Sequence, residues 1–356
     1  MFKFSILQSA IQRLSPSYFA LVMATGIVST ASHLQQYSAI SNVLFLINNI
    51  AFILLLVLFV VRLLLFRTDL LADVSSHAKG AGFLTLVAGS CILGTSYAQA
   101  KGSYGPAAVL WYFGLVMWLI IIFSFLSSVI LKIEKPSPEE GLNGIWFLLV
   151  VSTQSLSILG GILAAHLVLP PDVTVFISLF AFLLGVMLYL ILVPLITYRL
   201  LFYPVTPKEV VPAYWINMGA AAITTLAGVM LSQNVRSNPL FMDLYPFIRA
   251  IALLFWCTAS FWIPIVFIME IWRYAIKGSP LNYTPALWSM VFPLGMYSVC
   301  TWRLAETIGL PFLQSLSKGF LYIAWFAWLA TYIGLLLHLV KTLRQPSNEN
   351  ELVHST

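Results

Sequence analysis

Apolar residues gather in ten long stretches separated by short polar breaks, and each is long enough to cross a bilayer as a helix, which takes about 20 residues. The stretches fall at about 17–35, 42–66, 80–99, 106–131, 143–166, 173–201, 212–232, 245–275, 284–305 and 315–341. Two textures alternate along them. The odd spans are rich in small and hydroxylic residues, as in ALVMATGIVSTASH and VVSTQSLSILGGILA, whereas the even spans are bulky and aromatic, as in FILLLVLFVVRLLLF and VLWYFGLVMWLIIIF. Small residues let helix backbones approach closely, and lipid tails solvate bulky apolar side chains best. The odd spans are therefore expected inside and the even spans outside.

The glycines Gly26, Gly89, Gly160, Gly228 and Gly295 recur at separations of 63, 71, 68 and 67 residues. Each interval is one helical hairpin, so the chain reads as five tandem hairpins, each an inner helix followed by an outer one. The predicted fold is an all-α integral membrane protein of ten transmembrane helices, five inner helices ringing a central pore inside five outer helices. All five units share one orientation, which favours a pore over an inverted-repeat carrier.

Helical spacing picks out candidate lining residues. Thr25 and Gly26 come from the first span and Gly89 from the third. Thr153, Ser157 and Gly160 share a face of the fifth, and Asn217, Thr224 and Gly228 a face of the seventh. In the ninth, WSMVFPLGMYSVCTWRLAE, Phe292, Gly295, Val299 and Arg303 line up. The alternative for each helix is that its small face only packs against a neighbour. Phe292 directly precedes Pro293, and a proline inside a helix removes a backbone donor, so a bend is expected there. Such breaks are tolerated in a bilayer where protein or a water-filled path satisfies the freed carbonyl. The ninth helix is thus expected to line a pathway, with Phe292 obstructing it and Pro293 and Gly295 allowing movement.

Composition fixes the class. With 60% apolar and 8% charged residues and a mean hydropathy of +0.95, the chain is a polytopic membrane protein. Cys91, Cys257 and Cys300 all lie inside spans and imply no disulfide framework. With a cytoplasmic N-terminus, the inner side collects 13 of the 18 basic residues and the outer side 5. The positive-inside rule then places both termini in the cytoplasm. The net charge of +6 is mostly this excess and does not point to nucleic acid. Residues 1–15 carry Phe4, Leu7, Ile11 and Leu14 with Lys3 and Arg13, an amphipathic pattern suited to the inner leaflet. It lacks a signal-peptide core and is expected to stay attached. Residues 16–343 form the transmembrane domain and 344–356 a polar cytoplasmic tail.

Ionisable residues inside a membrane mark coupling ions or proton relays. Here Glu270, Glu306, Arg199 and Arg303 lie toward span ends, and no carboxylate sits at depth. An acid-free lining with Arg303, Arg249 and Arg236 on the outer side suits anions. His33 and His166, at outer span ends, are the only candidates for a titratable coupling group. A haem protein would need facing histidine pairs inside the bundle, and no HExxH, GxSxG, CxxC, phosphate loop or clustered acidic metal site is present. No enzyme, cofactor or metal is expected.

The segments SPSYFALVMATGIVS, GFLTLVAGSCILG, WFLLVVSTQSLSILGGILA, PAYWINMGAAAITTLAG and WSMVFPLGMYS, in matching order over nearly the whole chain, resemble the tellurite-resistance/dicarboxylate transporter family. That family includes bacterial tellurite-resistance proteins, the fungal malate permease and sulfite pump, and plant slow-type anion channels. The resemblance implies a homotrimer whose protomers each hold a pore, and it matches Phe292, in the Trp-x-x-x-Phe-Pro motif, to a gating phenylalanine. Between Trp146 and Leu149 the chain lacks a proline that many relatives carry, which removes the reason for a kink in the fifth helix. Regulation through long phosphorylated tails is not expected. The reading is a channel or facilitator in the plasma or inner membrane, passing inorganic or small organic anions. Its rival is a proton-coupled transporter of C4-dicarboxylate, sulfite or tellurite oxyanions.

Overall fold

A computed structural model of the chain describes residues 8–207 and 209–344. Lys3, Phe4, Leu7, Lys208 and the tail beyond residue 344 lie outside the described residues. The described residues contain no strand. Ten long helices follow one another as α1 (Ala20–Leu34), α2 (Ser38–Leu65), α3 (Leu84–Lys101), α4 (Tyr104–Leu131), α5 (Leu148–Leu163), α6 (Pro171–Phe202), α7 (Trp215–Ser237), α8 (Tyr245–Ile271), α9 (Trp288–Ile308) and α10 (Phe312–Arg344). Short helices at Arg67–Val74 and Pro138–Gly141 cover the face where odd helices begin, here the proximal face. Odd helices finish at the distal face.

Nine of these helices, among the described residues, are long and apolar enough to cross a membrane; α9 is too polar to qualify by composition. It nevertheless takes the fifth inner place. Each odd helix touches the next, α1 to α3 to α5 to α7 to α9, and α9 returns to α1, so the inner ring closes. Each even helix packs on its own hairpin partner and leans on the following odd helix. Burial separates the two layers. In α1, α3, α5 and α7 with their opening turns, 78% to 94% of the most apolar stretch is buried, against 22% to 39% in the even helices.

Lipid tails are as apolar as leucine, so the rings are joined by close packing and by hydrogen bonds between helices. Outer-ring indoles supply many of these bonds. Trp118 Nε1 donates to Thr153 Oγ1 at 2.9 Å, Trp256 Nε1 to Thr301 Oγ1 at 2.9 Å, Trp325 Nε1 to Ser32 Oγ at 2.9 Å and Trp328 Nε1 to Thr25 Oγ1 at 3.0 Å. Tyr189 Oη donates to Asn217 Oδ1 at 2.9 Å, and Ser157 Oγ to the Ser178 carbonyl at 2.7 Å.

These contacts correct the expected lining. Thr25, Thr153, Ser157 and Asn217 turn their polar atoms toward the outer ring, because a buried indole or hydroxyl in hydrocarbon must find a partner. The glycines follow the same logic. A Cβ on Gly160 would meet Ser178 and Trp111, one on Gly228 would meet Ala252 and Phe182, and one on Gly26 would meet Asn48 and Ile92. Gly89 packs against Val22 of the neighbouring inner helix. Thr224 returns its hydroxyl to the Ala220 carbonyl at 2.8 Å. The small, hydroxylic face is thus the seam between helices.

A double-mutant cycle on Trp118→Phe and Thr153→Val checks the seam. Its coupling energy, read from unfolding in mixed micelles, is expected at about 0.6 kcal/mol and no more than about 1.7 kcal/mol. No measurable coupling would remove this bond from the forces joining the rings.

Candidate functional site

Every inner helix opens with a single 3₁₀ turn. The five are Pro16–Phe19, Gly80–Phe83, Gly144–Phe147, Pro212–Tyr214 and Pro285–Leu287. They touch in sequence and the fifth touches the first, forming a second closed ring at the proximal face. Proline at three of the starts has no donor to lose there and a backbone torsion preset for the turn. Each turn ends on or next to a buried aromatic: Phe19, Phe83, Phe147, Trp215 and Trp288. Their separations of 64, 64, 68 and 73 residues are a second repeat signal in the chain, beside the glycine spacing that marks the same five hairpins.

Inside this ring lies a proximal mouth of about 200 Å³, walled by Ser17, Leu148, Ile216, Ser289 and neighbouring turn residues. Further along the axis a second, narrow cavity, of about 20 Å³, is walled by all five inner helices. Its wall comprises Ile27 and Thr30 of α1, Cys91, Ile92, Thr95 and Gln99 of α3, Ser155 and Ile158 of α5, Ile223, Leu226 and Met230 of α7, and Met296, Val299 and Arg303 of α9. The lumen is therefore mainly apolar, where a hydroxyl-lined tube was expected. Val299 and Arg303 are the lining candidates that reach this wall.

The aromatic repeat carries the wall with it. Ser289, Met296, Val299 and Arg303 on α9 correspond residue for residue to Ile216, Ile223, Leu226 and Met230 on α7, each pair 73 apart. The same operation gives Leu148, Ser155 and Ile158 on α5 and Ile27 and Thr30 on α1. Between mouth and lumen each stripe leaves one position that belongs to neither cavity. On these four helices it holds Met23, Val151, Gly219 and Phe292.

Phe292 is 1% exposed, and Met23 and Val151 are buried at the same level. A Cβ on Gly219 would stand 2.8 Å from Pro293 Cγ and 3.3 Å from Phe292 Cε1. Glycine at 219 therefore makes the room that the ring and the proline occupy. On the other flank, a Cβ on Gly295 would stand 2.9 Å from Ile27 Cγ2 and 3.1 Å from Val28 Cγ2. Gly295 thus packs against α1, and the α9 face toward the axis runs Phe292, Met296, Val299, Arg303. The helix continues through Pro293 from Trp288 to Ile308 and is closed by Gly309 at φ 73°, the left-handed region that suits glycine.

Hydrogen bonding sets the character of the lumen. Thr30 Oγ1 donates to the Gly26 carbonyl at 3.0 Å, Thr95 Oγ1 to the Cys91 carbonyl at 3.0 Å and Ser155 Oγ to the Val151 carbonyl at 2.7 Å. With their protons turned back to the helix, the donors left on the wall are the Gln99 amide and the Arg303 guanidinium. Arg303 Nη1 is held by Glu306 Oε2 at 3.1 Å at the distal end. The wall carries no carboxylate, lysine or histidine.

The other candidates lie apart. His166 is exposed and stacks on Tyr104 with ring centroids 3.6 Å apart. His33 is half-buried at the distal end of α1 and is not part of the wall. Arg236 and Arg249 both lie over the Tyr245 ring, at 5.8 and 5.2 Å from its centroid.

Residues 13–336 match the model of the SLAC1 family, described as voltage-dependent anion channels. The chain belongs to this family. An uncharacterized transporter of Methanocaldococcus jannaschii is similar to nearly the whole chain, 25% identical over 337 residues, 92% of this chain and 95% of its own. A second transporter of that organism is 26% identical over 333 residues, covering 91% and 92% of the two chains. An uncharacterized membrane protein of Mycobacterium tuberculosis is 32% identical over 166 residues, 47% of this chain and 84% of its own. Membership in the SLAC1 family makes the ten-helix ring an anion-transporting membrane protein.

Proposed function

We propose that the chain is a passive anion channel whose path runs along the inner ring and is plugged by the Phe292 ring. The observation that carries this reading is the wall itself: all five inner helices contribute, and its single charged side chain is Arg303 at the distal end. An anion is drawn to that guanidinium and to the Gln99 amide, crosses an apolar stretch, and meets Phe292 before the proximal mouth. The basic excess of the proximal face supports its placement in the cytoplasm. Because the ring closes within one chain, each copy in a trimer would hold its own path.

Proton coupling would require a titratable group facing the lumen, and neither His33 nor His166 is part of its wall. Chloride, nitrate and malate flux from vesicles without a pH gradient tests the channel reading. Flux is expected at equal pH on both sides, and to change by less than about twofold between pH 6 and 8, where an unperturbed histidine would titrate. Transport that waits for a proton gradient would replace the channel by a coupled carrier.

Arg303→Gln tests the distal attraction. Anion conductance is expected to fall by about two- to threefold at low salt. The deficit should shrink toward 1 M, where the screening length is about 3 Å. An equal deficit at both salt concentrations would assign Arg303 to the fold instead.

A further inference from the structure

Between α8 and α10, on the proximal half of the protein, a groove of about 650 Å³ opens to the outer surface. Its floor is the back of α9, where Met290 and Leu294 lie about 200° around the helix from Phe292 on either side. Its rim is apolar and outward facing, with Phe267, Ile323 and Phe326 all exposed. Along α10 the wall runs from Phe320 to Gly334, about 21 Å of helix, and one leaflet supplies about 15 Å of hydrocarbon. The groove therefore has the depth of a single leaflet.

The proximal end of this groove is charged. Glu270 lines it, with Oε1 accepting from Trp215 Nε1 at 3.2 Å and Oε2 buried without a partner. Three residues on, beside the groove and not part of its wall, Arg273 has Nε and Nη1 buried without hydrogen-bond partners. Its guanidinium lies 4.8 Å from the ring centroid of Tyr274, which also lines the groove. Charged atoms removed from water without partners are costly. An occupant that brings one cation and one anion at the headgroup level offsets both.

We propose that this groove holds one phospholipid with a primary-amine headgroup, of the phosphatidylethanolamine class. Its ammonium donates to Glu270 Oε2, its phosphate accepts from Arg273, and an acyl chain lies on Met290 and Leu294. A quaternary amine has the same charge but no N–H to donate, so a choline lipid fits the groove and leaves Glu270 Oε2 without its bond. The site stands independently of any role for Phe292.

The test is lipid retention. Full-length protein is exchanged into mixed micelles with equal amounts of phosphatidylethanolamine and phosphatidylcholine, repurified, and its bound lipid measured by mass spectrometry. The wild type is expected to retain the ethanolamine lipid about tenfold over the choline lipid, the factor that about 1.4 kcal/mol supplies. Glu270→Gln still accepts the Trp215 bond, and its enrichment is expected to fall to about one. Ala330→Trp, which fills the groove from its exposed wall, is expected to lose both lipids while Glu270 is intact. Equal retention of the two lipids by the wild type, or enrichment that survives Glu270→Gln, would overturn the proposal. So would efficient cross-linking of Phe326→Cys between copies, since the groove would then be a protein interface.

Discussion

Phe292→Ala is expected to raise passive anion flux by at least about tenfold in vesicles, for chloride and nitrate alike, with no ion gradient other than that of the anion. A tenfold change in rate corresponds to about 1.4 kcal/mol of barrier, and on the proposed path the ring, buried and part of neither cavity wall, stands at the level between the two. Motion of the whole α9 helix is disfavoured. Pro293 is seated in the space left by Gly219, and Gly295 is seated against Ile27 and Val28. Rotation of the Phe292 side chain is the movement that leaves both contacts in place. Removing the ring should therefore do what rotation does, without a change in the ring of helices. A refill experiment separates plugging from general loosening: Met23→Phe in the Phe292→Ala background places an aromatic at the same level from α1, and flux is expected to fall again. Unchanged flux in Phe292→Ala, with protein still folded and monodisperse, would sink the plug.

The rings of the fold were legible because they rest on bulk properties. Outer helices must present apolar side chains to lipid and inner helices must approach one another, so texture alone assigned α1 through α10 to two layers. Which face of an inner helix looks at the axis was not legible in the same way. Thr153, Ser157 and Asn217 are small and polar, the features expected of a wet pore, yet in hydrocarbon a buried indole or tyrosine hydroxyl needs a partner just as an ion does. Trp118, Tyr189 and the Ser178 carbonyl claimed those residues. Glycine spacing misled for a related reason, since Gly160 and Gly228 record close approach of an outer helix. The aromatic at the end of each opening turn kept better register, because it marks a fixed place in each repeat. Projected from Trp288 to Trp215, it carries Phe292 onto Gly219, a pair the structure places in contact distance.

Gly144→Ala is expected to destabilise the protein by about 3 kcal/mol, at the upper end of what overpacking costs. The reason lies in the ring of opening turns. A Cβ at 144 would overlap the Ala213 carbonyl oxygen and carbonyl carbon, and both belong to the backbone of the next turn. No rotamer relieves that clash; the turn must move. Asn143 resists the move, since its Oδ1 accepts from Ile145 N at 2.9 Å and its Nδ2 donates to the Ala78 carbonyl at 3.3 Å, tying this turn to the segment before the previous one. Proline, which starts three of the other turns, is excluded here by the same backbone. Gly82→Ala is a graded comparison, because its Cβ would meet the Ser17 hydroxyl at 2.5 Å, an atom that can rotate away, and the loss should be smaller. Gly105→Ala has nothing within 4 Å and lies in the first turn of α4, so it should be neutral or slightly stabilising. Melting of the three purified variants in one detergent checks the order. If Gly144→Ala melts with the wild type, the turns are not held to one another at this contact, and the proximal mouth is free to widen without breaking the fold.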